Sequence, residues 1–158
     1  MPKDQNVSAA VALDDIDEKI VALLRVDGRL SVPQLAERVG VSRATAYARF
    51  DRLVDSGVIQ GFEARVAPAA VGLPVGALIT LSAEQVEWAD MHDRLTSIDS
   101  VQWVGLTAGS SDFVVLVRAR SLDDLRDVVL RELLLVPGIR NTETAVLLDE
   151  SRRPGAAL

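Results

Sequence analysis

Four arginines fall between positions 38 and 52, in a chain whose net charge is −6. A guanidinium group can donate two parallel hydrogen bonds to a phosphate or to the edge of a guanine. Residues 28–65 hold six arginines against four acidic residues, whereas residues 66–158 hold eight basic and thirteen acidic ones. This one locally basic segment therefore predicts contact with a nucleic acid, with the acidic remainder held away from it.

A helix that begins after Ser42 would carry three of these arginines, and its first turns would suit the major groove of DNA. Ser42 can cap this helix while free backbone N–H groups face a phosphate, and Thr45 can hydrogen-bond a base or a phosphate. The small side chains of Ala44 and Ala48 would allow close approach to the groove floor. The predicted DNA-contacting residues are Ser42, Arg43, Ala44, Thr45, Ala48, Arg49 and Arg52. The alternative is an amphipathic helix whose arginines are solvated beside nearby carboxylates.

The amino-acid composition excludes several kinds of catalytic and metal-binding site. The chain has no cysteine, which excludes disulfides, thiolate catalysis and cysteine-ligated zinc. With His92 as the single histidine, neither a histidine-rich metal site nor a serine–histidine–aspartate arrangement is expected. We therefore expect no catalytic residue, metal or cofactor. The sequence has no apolar run of about 18 residues, so no membrane span is predicted. The first residues do not resemble a signal peptide, so a cytoplasmic protein is expected.

Three predicted helices position the arginines. The first begins at Asp14, the second is capped by Ser31 and ends at Gly40, and the third follows Ser42. Two short helices joined by a tight, glycine-containing turn form a helix-turn-helix, and the helix before them supplies the third wall of a small core. The extended segment 58–66 is expected to form a wing or a linker strand.

Beyond residues 68–74, which contain two prolines and a glycine, the pattern changes to β-α-β-β-α-β, typical of a ferredoxin-like fold. The predicted strands are 75–81, 101–106, 113–119 and 142–148; one helix follows a capping box led by Ser82, and another covers 121–136 with Leu122, Leu125, Val129 and Leu133 on one face. Trp103 indicates either self-association through the sheet or a core position under the helices.

The chain is predicted to contain two domains with less regular segments around them. The predicted boundaries are a flexible arm at 1–13, a helix-turn-helix domain at 14–62, a linker at 63–74, a ferredoxin-like domain at 75–150 and a tail at 151–158.

Several short motifs occur in order along both parts of the chain. They are Asp14 and Asp17 at the first helix, "DGR" at 27–29, "LAERVGVS" at 35–42, "RFDRL" at 49–53, "GVIQGF" at 57–62, "GSSDFVVLV" at 109–117 and "PGIRNTETAVLL" at 137–148. In these motifs the chain resembles the Lrp/AsnC (leucine-responsive/asparagine-regulator) family of transcription factors. Ala46 and Phe50 depart from the valine or isoleucine usual in the family. The resemblance implies an α+β chain with an N-terminal three-helix winged helix-turn-helix domain and a ferredoxin-like βαββαβ domain for effector binding and oligomerisation.

The resemblance also implies homodimers, often assembled into octamers, and a small effector, commonly an amino acid, bound near the loop 109–112. The residue types in this loop are compatible, because hydroxyl groups and a carboxylate can bind an α-ammonium group and glycine lets backbone N–H groups approach a ligand. The predicted effector-binding residues are Thr107, Gly109, Ser110, Ser111 and Asp112. Taken by itself, without the resemblance, the loop is more typical of a plain hairpin turn than of a ligand site.

The expected function is a DNA-binding regulator whose affinity for double-stranded DNA or oligomeric state responds to a small effector. One alternative is an enzyme like the siroheme decarboxylases, which resemble this family in both domains; a single histidine, His92, supports it poorly, since an exposed helix position explains that residue. A second alternative is an architectural protein that binds DNA without sensing an effector.

Overall fold

The computed structural model describes residues 11–84 and 87–151, and it divides them into two compact units. The described residues up to Ala64 form the first unit, and Arg65–Glu150 form the second. Most of the predicted arm at 1–13 and of the predicted tail at 151–158 lies outside the described residues.

The first unit contains the three predicted helices. They are α1 (Asp15–Val26), α2 (Val32–Val39) and α3 (Arg43–Asp55). Each helix contributes one fully buried large apolar side chain to a shared core, namely Ile20, Leu35 and Leu53. Burying three such side chains is worth about 1.5–3 kcal/mol each, which is what holds helices this short in place.

The ends of these helices coincide with capping residues. Asp14 caps α1, and its carboxylate accepts hydrogen bonds from the N–H groups of Ile16 and Asp17, both at 3.0 Å. At α2, the side-chain oxygen of Gln34 accepts the Ser31 N–H at 2.9 Å. Gly40 ends α2 with φ of 79°, a left-handed conformation that favours glycine. The tight turn between α2 and α3 depends on this residue.

The segment predicted as a wing or linker strand, 58–66, takes no part in the described sheet, so the strand expectation is wrong for these residues. It instead brings Phe62 onto Phe50 in a stacked arrangement with ring centroids 6.3 Å apart. A side-chain carbon at Gly28 would come within 3.1 Å of the Phe62 ring, so the glycine leaves room for it. The segment therefore covers one edge of the helical core.

The second unit has the predicted β-α-β-β-α-β order, preceded by a short 3₁₀ helix (Pro68–Val71). The strands are β1 (Val75–Ala83), β2 (Val101–Leu106), β3 (Phe113–Ala119) and β4 (Ile139–Leu147), and the helices are α4 (Trp88–Thr96) and α5 (Leu122–Asp127), which continues as a π-helix over Val128–Leu133. The strand order across the sheet is β2-β3-β1-β4, and all neighbours are antiparallel. The ferredoxin-like prediction is confirmed.

One face of this sheet lies under the helices. Alternate residues of the two central strands, such as Ile79 on β1 and Val115 on β3, are fully buried against Met91, Leu95 and Leu133. The period of two along each strand therefore matches the prediction of strands with one face in the core.

Two details of the helices differ from the predictions. Ser82 does not begin a capping box; it belongs to β1, which is longer than expected, and α4 begins at Trp88 after Glu87. Gln85, the last residue of that predicted box, lies outside the described residues. The helix predicted over 121–136 changes to π geometry, shown by the bond from the Leu134 N–H to the Val129 carbonyl at 3.0 Å.

The buried stripe of this helix differs from the predicted one. Val128, not expected there, is buried beside Leu125 and Leu133, and Val129 is only partly buried. Leu122, in the first α-helical turn, is 63% exposed, and the π geometry further along the helix does not explain this. A π turn advances the chain by more residues per turn than an α turn, so positions five apart come to share a face. A stripe predicted with α spacing therefore fails at this helix.

Trp103 lies on the sheet face that points away from the helices. It pairs with Leu116 of β3, which in turn pairs with Leu78 of β1, and both neighbours alternate with buried core positions. The core alternative for Trp103 is therefore wrong. The open face exposes Trp103 (43%) and Leu78 (39%). Among the described residues, no helix is long and apolar enough to cross a membrane.

Candidate nucleic-acid interface and effector loop

The N-terminal end of α3 is fixed by a cap that uses the predicted contact residues. The Ser42 hydroxyl accepts the Thr45 N–H at 3.1 Å, and the two hydroxyl oxygens are 2.8 Å apart. Both hydroxyls therefore already have a partner within the helix. Further N–H groups of the first turn have no intrahelical acceptor, as in any helix, and suit a phosphate.

The outward side of α3 consists of a cation, an aromatic ring and two methyl groups. Arg43, Ala44 and Ala48 are exposed, while Ala46 is buried in the core on the other side. Tyr47, which we did not predict, is 49% exposed on this same side. At 100° per residue Tyr47 falls beside Ala44 and Ala48, so helical spacing could have identified it. Among the described residues, Arg43 forms no ion pair.

Arg49 and Arg52 are bound to carboxylates of α1. Arg49 donates to Asp14 and, at 3.1 Å, to Asp17; Arg52 forms an ion pair with Asp17. Asp17 is fully buried, so its carboxylate has lost its hydration. The two guanidinium groups replace the stabilisation that water would have given to its negative charge. We predicted DNA contacts for both arginines, and the alternative placed them in solvent; the structure gives them an intramolecular role that neither interpretation contained.

The electrostatics of this cluster keep it charged. Burial by itself would raise the pKa of Asp17, but hydrogen bonds from Arg52, the Asp14 N–H and Arg49 outweigh burial and lower that pKa to about 2. The hydrogen bond from Arg49 likewise lowers the pKa of Asp14. The cluster therefore joins the start of α1 to the middle of α3 at neutral pH.

The predicted effector loop connects β2 to β3 and is closed by its own hydrogen bonds. The Thr107 N–H donates to the Asp112 carbonyl at 2.9 Å, and the Thr107 hydroxyl donates to the Ser111 carbonyl at 2.5 Å. Gly109 and Ser110 are exposed at the tip, and a side-chain carbon at Gly109 would meet nothing within 4 Å. The tip residues are thus available to a ligand, whereas the Thr107 hydroxyl is engaged.

Asp112 connects this loop to β1. Its backbone N–H donates to the Leu81 carbonyl at 2.9 Å, and its carboxylate accepts the Ala83 N–H at 2.8 Å, where the pairing of β1 with β4 shifts register. The carboxylate is exposed, so it keeps lone pairs for a second donor. Asp112 therefore has a structural partner in addition to any ligand.

Aromatic rings pack directly beside the loop. Trp88 of α4 stacks on Phe113, the residue after Asp112, with centroids 5.8 Å apart and planes 10° apart. The His92 ring lies 5.2 Å from the Trp88 ring, between centroids, and His92 is half-buried rather than exposed as we expected. Trp88 itself remains 37% exposed. In the part of the chain that the structure describes, no group of three or more potential ligand residues could hold a metal ion.

Comparison with known proteins covers both units. The sequence model of the AsnC-type helix-turn-helix domain matches residues 13–54, and that of the Lrp/AsnC ligand binding domain matches residues 76–156. The transcriptional regulator AldR of Mycobacterium tuberculosis is 35% identical over 148 residues, which are 92% of this chain and 82% of AldR.

Solved structures share the fold. A transcriptional regulator of Neisseria meningitidis in complex with L-Met has a TM-score of 0.83 at 25% identity, covering 90% of this chain and 94% of that one. Escherichia coli AsnC has a TM-score of 0.81 at 26% identity, covering 92% of this chain and all of the other. AldR and the Neisseria meningitidis protein are both named as transcriptional regulators.

Proposed function

Because this chain belongs to the Lrp/AsnC family of transcriptional regulators, we propose that it binds double-stranded DNA through α3 and responds to an amino-acid effector. The response is a change in DNA affinity or in oligomeric state. Such a regulator acts where the genome is, so the proposal places the protein in the cytoplasm.

The proposed DNA surface is the outward side of α3 with its N-terminal cap. Arg43 is the cation best placed for a phosphate or a guanine, and the small Ala44 and Ala48 let the helix approach the groove floor. Tyr47 adds a ring for a thymine methyl group and a hydroxyl for a base or phosphate. Arg52, whose side chain is 46% exposed, can still offer a donor to a phosphate while it binds Asp17.

Arg49 has a different role in this proposal. Its side chain is 27% exposed and binds two carboxylates, so it holds α3 at its angle to α1 and acts on DNA through that orientation. This assignment separates the cation that touches DNA from the cation that positions the helix.

The proposed effector site is the loop between β2 and β3. The exposed Gly109–Ser110 tip and the free lone pairs of Asp112 fit an α-ammonium and an α-carboxylate group. The L-Met complex of the Neisseria meningitidis regulator, which shares the fold, supports an amino acid as the ligand class. Trp88, half-exposed on Phe113, would offer an apolar wall to the effector's side chain.

The proposed assembly is a homodimer formed through the open face of the sheet, with tetramers or octamers built from it. The row of Trp103, Leu116 and Leu78 gives this face an apolar centre, which a second copy would cover. A two-fold dimer would present two α3 helices to half-sites about 34–36 Å apart.

The observation that carries the proposal is the exposed Arg43–Ala48 side of a capped α3 in a three-helix unit that matches a DNA-binding family. The test is a pull-down of genomic DNA fragments by the full chain, with and without a pool of amino acids. We expect a limited set of fragments to be enriched, with a yield that changes with the pool. Uniform recovery of all fragments would favour the architectural alternative, and no recovery would refute the proposal.

A further inference from the structure

A cleft of about 800 Å³ opens in the second unit, away from the loop between β2 and β3. It lies between the end of α4 with the turn that follows, residues 94–100, and the segment from α5 through the π-helix to Pro137. Its volume is within the range of about 300–1,000 Å³ typical of small-molecule pockets. None of residues 107–112 lines it. The cleft is therefore separate from the effector loop.

The inner wall of the cleft is apolar except for one buried hydroxyl and the buried guanidinium of Arg118, which is paired with Glu150 at 2.6 Å. Ile98, Val128 and Val136 provide hydrocarbon surface, and Val128 is only 4% exposed. The hydroxyl oxygen of Ser100 is buried and finds no hydrogen-bond partner among the described residues. A buried hydroxyl without a partner costs free energy, and a polar ligand group beside it would remove that cost.

The rim carries uncommitted charges of both signs. Arg94 donates one hydrogen bond, at 2.9 Å, to the Pro137 carbonyl, and it forms no ion pair among the described residues. Asp99 and Glu132, also on the rim, form none within the same ranges. Arg120 and Asp124, in contrast, neutralise each other at 2.7 Å and add no free charge.

We propose that this cleft is a second small-molecule site and that its ligand is a zwitterion with an apolar side chain, an α-amino acid. The carboxylate would bind Arg94, the ammonium would bind Glu132 or Asp99, and the side chain would lie on Ile98 and Val128. Neither DNA binding by α3 nor an effector at the loop is needed for this proposal. The chain would then bind two amino acids per protomer.

The test is hydrogen–deuterium exchange of the full chain with L-methionine, and then with L-leucine and L-phenylalanine, at millimolar concentration. We expect slower exchange in peptides that cover 94–100 and 128–137. N-acetyl-L-methionine lacks the ammonium group and L-methioninamide lacks the carboxylate, so neither should slow exchange there. No protection of these peptides by any of the three amino acids would overturn the proposal, as would equal protection by both blocked analogues.

Variants separate the cleft from the loop. Arg94→Gln and Glu132→Gln should each weaken binding at the cleft about tenfold or more, because a charge-assisted hydrogen bond is lost. Ser100→Ala should weaken it several-fold while leaving the thermal stability of the free chain unchanged or higher. Arg126→Gln, on α5 but outside the cleft, is the matched control and should bind normally.

Asp112→Asn distinguishes the two sites in the same experiment. It should reduce protection of peptides over 107–112 and leave the cleft peptides protected. Protection confined to 107–112 in the wild type would refute the cleft and leave the effector loop supported, whereas protection confined to the cleft would do the reverse. Wild-type affinity at the cleft in both Arg94→Gln and Glu132→Gln would also refute the proposal.

Discussion

Asp17 shows how one buried carboxylate connects α1 to α3. Its side chain is fully buried at the start of α1, and it is bound there by Arg49 and Arg52 from α3. Removing one partner of such a group is more damaging than removing an exposed ion pair, because the remaining charges lose their compensation. At the residue scale, the acidic residues at the start of α1 therefore form ion pairs with α3 in addition to interacting favourably with the helix dipole.

The first prediction concerns the pH dependence that Asp17 contributes. Its pKa is about 2 in the folded chain against 3.8 for the ordinary group, and a difference of this size corresponds to about 2 kcal/mol. A lowered pKa stabilises the fold fully above the unfolded value, so this contribution should be present above pH of about 4 and be lost as the pH falls toward 2. Asp17→Asn should lower the free energy of unfolding by about 2–3 kcal/mol at neutral pH.

Urea unfolding at several pH values measures both effects. Asp15→Asn, an exposed carboxylate in the same helical turn, is the control and should change the free energy of unfolding by less than about 0.5 kcal/mol. If Asp17→Asn lost as much stability as the wild type between pH of about 4 and 2, the Asp17 ion pairs would not be the cause of that loss.

The second prediction separates a DNA contact from a positioning residue. Arg43→Ala should reduce affinity for a specific DNA fragment about tenfold and lower the salt slope by about one, with no change in thermal stability. Arg49→Ala should lower the thermal unfolding temperature, because Asp14 and Asp17 lose a partner.

Fluorescence anisotropy over a salt series and thermal unfolding measure the two outcomes. Arg25→Ala removes an exposed charge from the last turn of α1 and should alter neither quantity. Equal salt slopes for the wild type and Arg43→Ala would exclude a phosphate contact at Arg43.

Sequence periodicity located α3 and its cap but could not locate the partners of Arg49, since that pairing depends on how α1 crosses α3.

At the scale of elements, signals between residues close in sequence predicted the helix ends well. Features that depend on contacts between distant elements were not predicted. The ends of α1 and α2 follow from Asp14, Ser31 and Gly40, which act on their own neighbours. The start of α4 does not follow from Ser82, because tertiary pairing with β4 extends β1 through that residue. The π-helix after α5 likewise reflects packing over the sheet and has no local sequence signal.

The third prediction concerns the loop between β2 and β3, where Asp112 has two roles. Asp112→Ala should lower the free energy of unfolding by about 1 kcal/mol, since the Ala83 N–H loses its acceptor. Asp112→Asn keeps a side-chain oxygen for that bond but loses the charge that would attract an ammonium group, so its stability should stay near that of the wild type. Both variants should weaken an amino-acid effector at the loop about tenfold.

Thermal unfolding and isothermal titration with L-methionine measure the two roles separately. Ser110→Ala, at the exposed tip, is the stability control and should unfold at the wild-type temperature. Unaltered effector affinity at the loop in Asp112→Asn would mean that the carboxylate serves the fold alone and that the hairpin-turn interpretation suffices.

At the scale of the whole molecule, the open face of the sheet would link the proposed assembly to the proposed DNA binding. The sequence left Trp103 with two alternatives, because a strand of mostly apolar residues does not reveal which face the helices cover. The register with Leu116 and Leu78 resolves this by placing all three on the uncovered face. If a second copy covers that face, one dimer doubles the number of DNA-contacting helices without adding a basic residue to an acidic chain.

The fourth prediction tests this coupling. Trp103→Arg should convert the dimer to a monomer, since a charge would replace the apolar centre of the interface. The monomer should lose at least about tenfold in affinity for a fragment with two half-sites, because each chain then makes only one set of phosphate contacts. Gly105→Ala should act in the same direction more weakly, because its new carbon would stand 2.5 Å from the Trp103 ring and displace it.

Sedimentation velocity and anisotropy on the same samples measure assembly and DNA binding together. Leu106→Arg is the matched control: Leu106 is 61% exposed on the same strand but pairs with the core residue Phe113, so it belongs to the other face and should leave the dimer intact. A dimeric Trp103→Arg would remove the open face as the interface. A monomeric Trp103→Arg with wild-type DNA affinity would instead show that one α3 suffices, and the proposed two-half-site geometry would then be wrong.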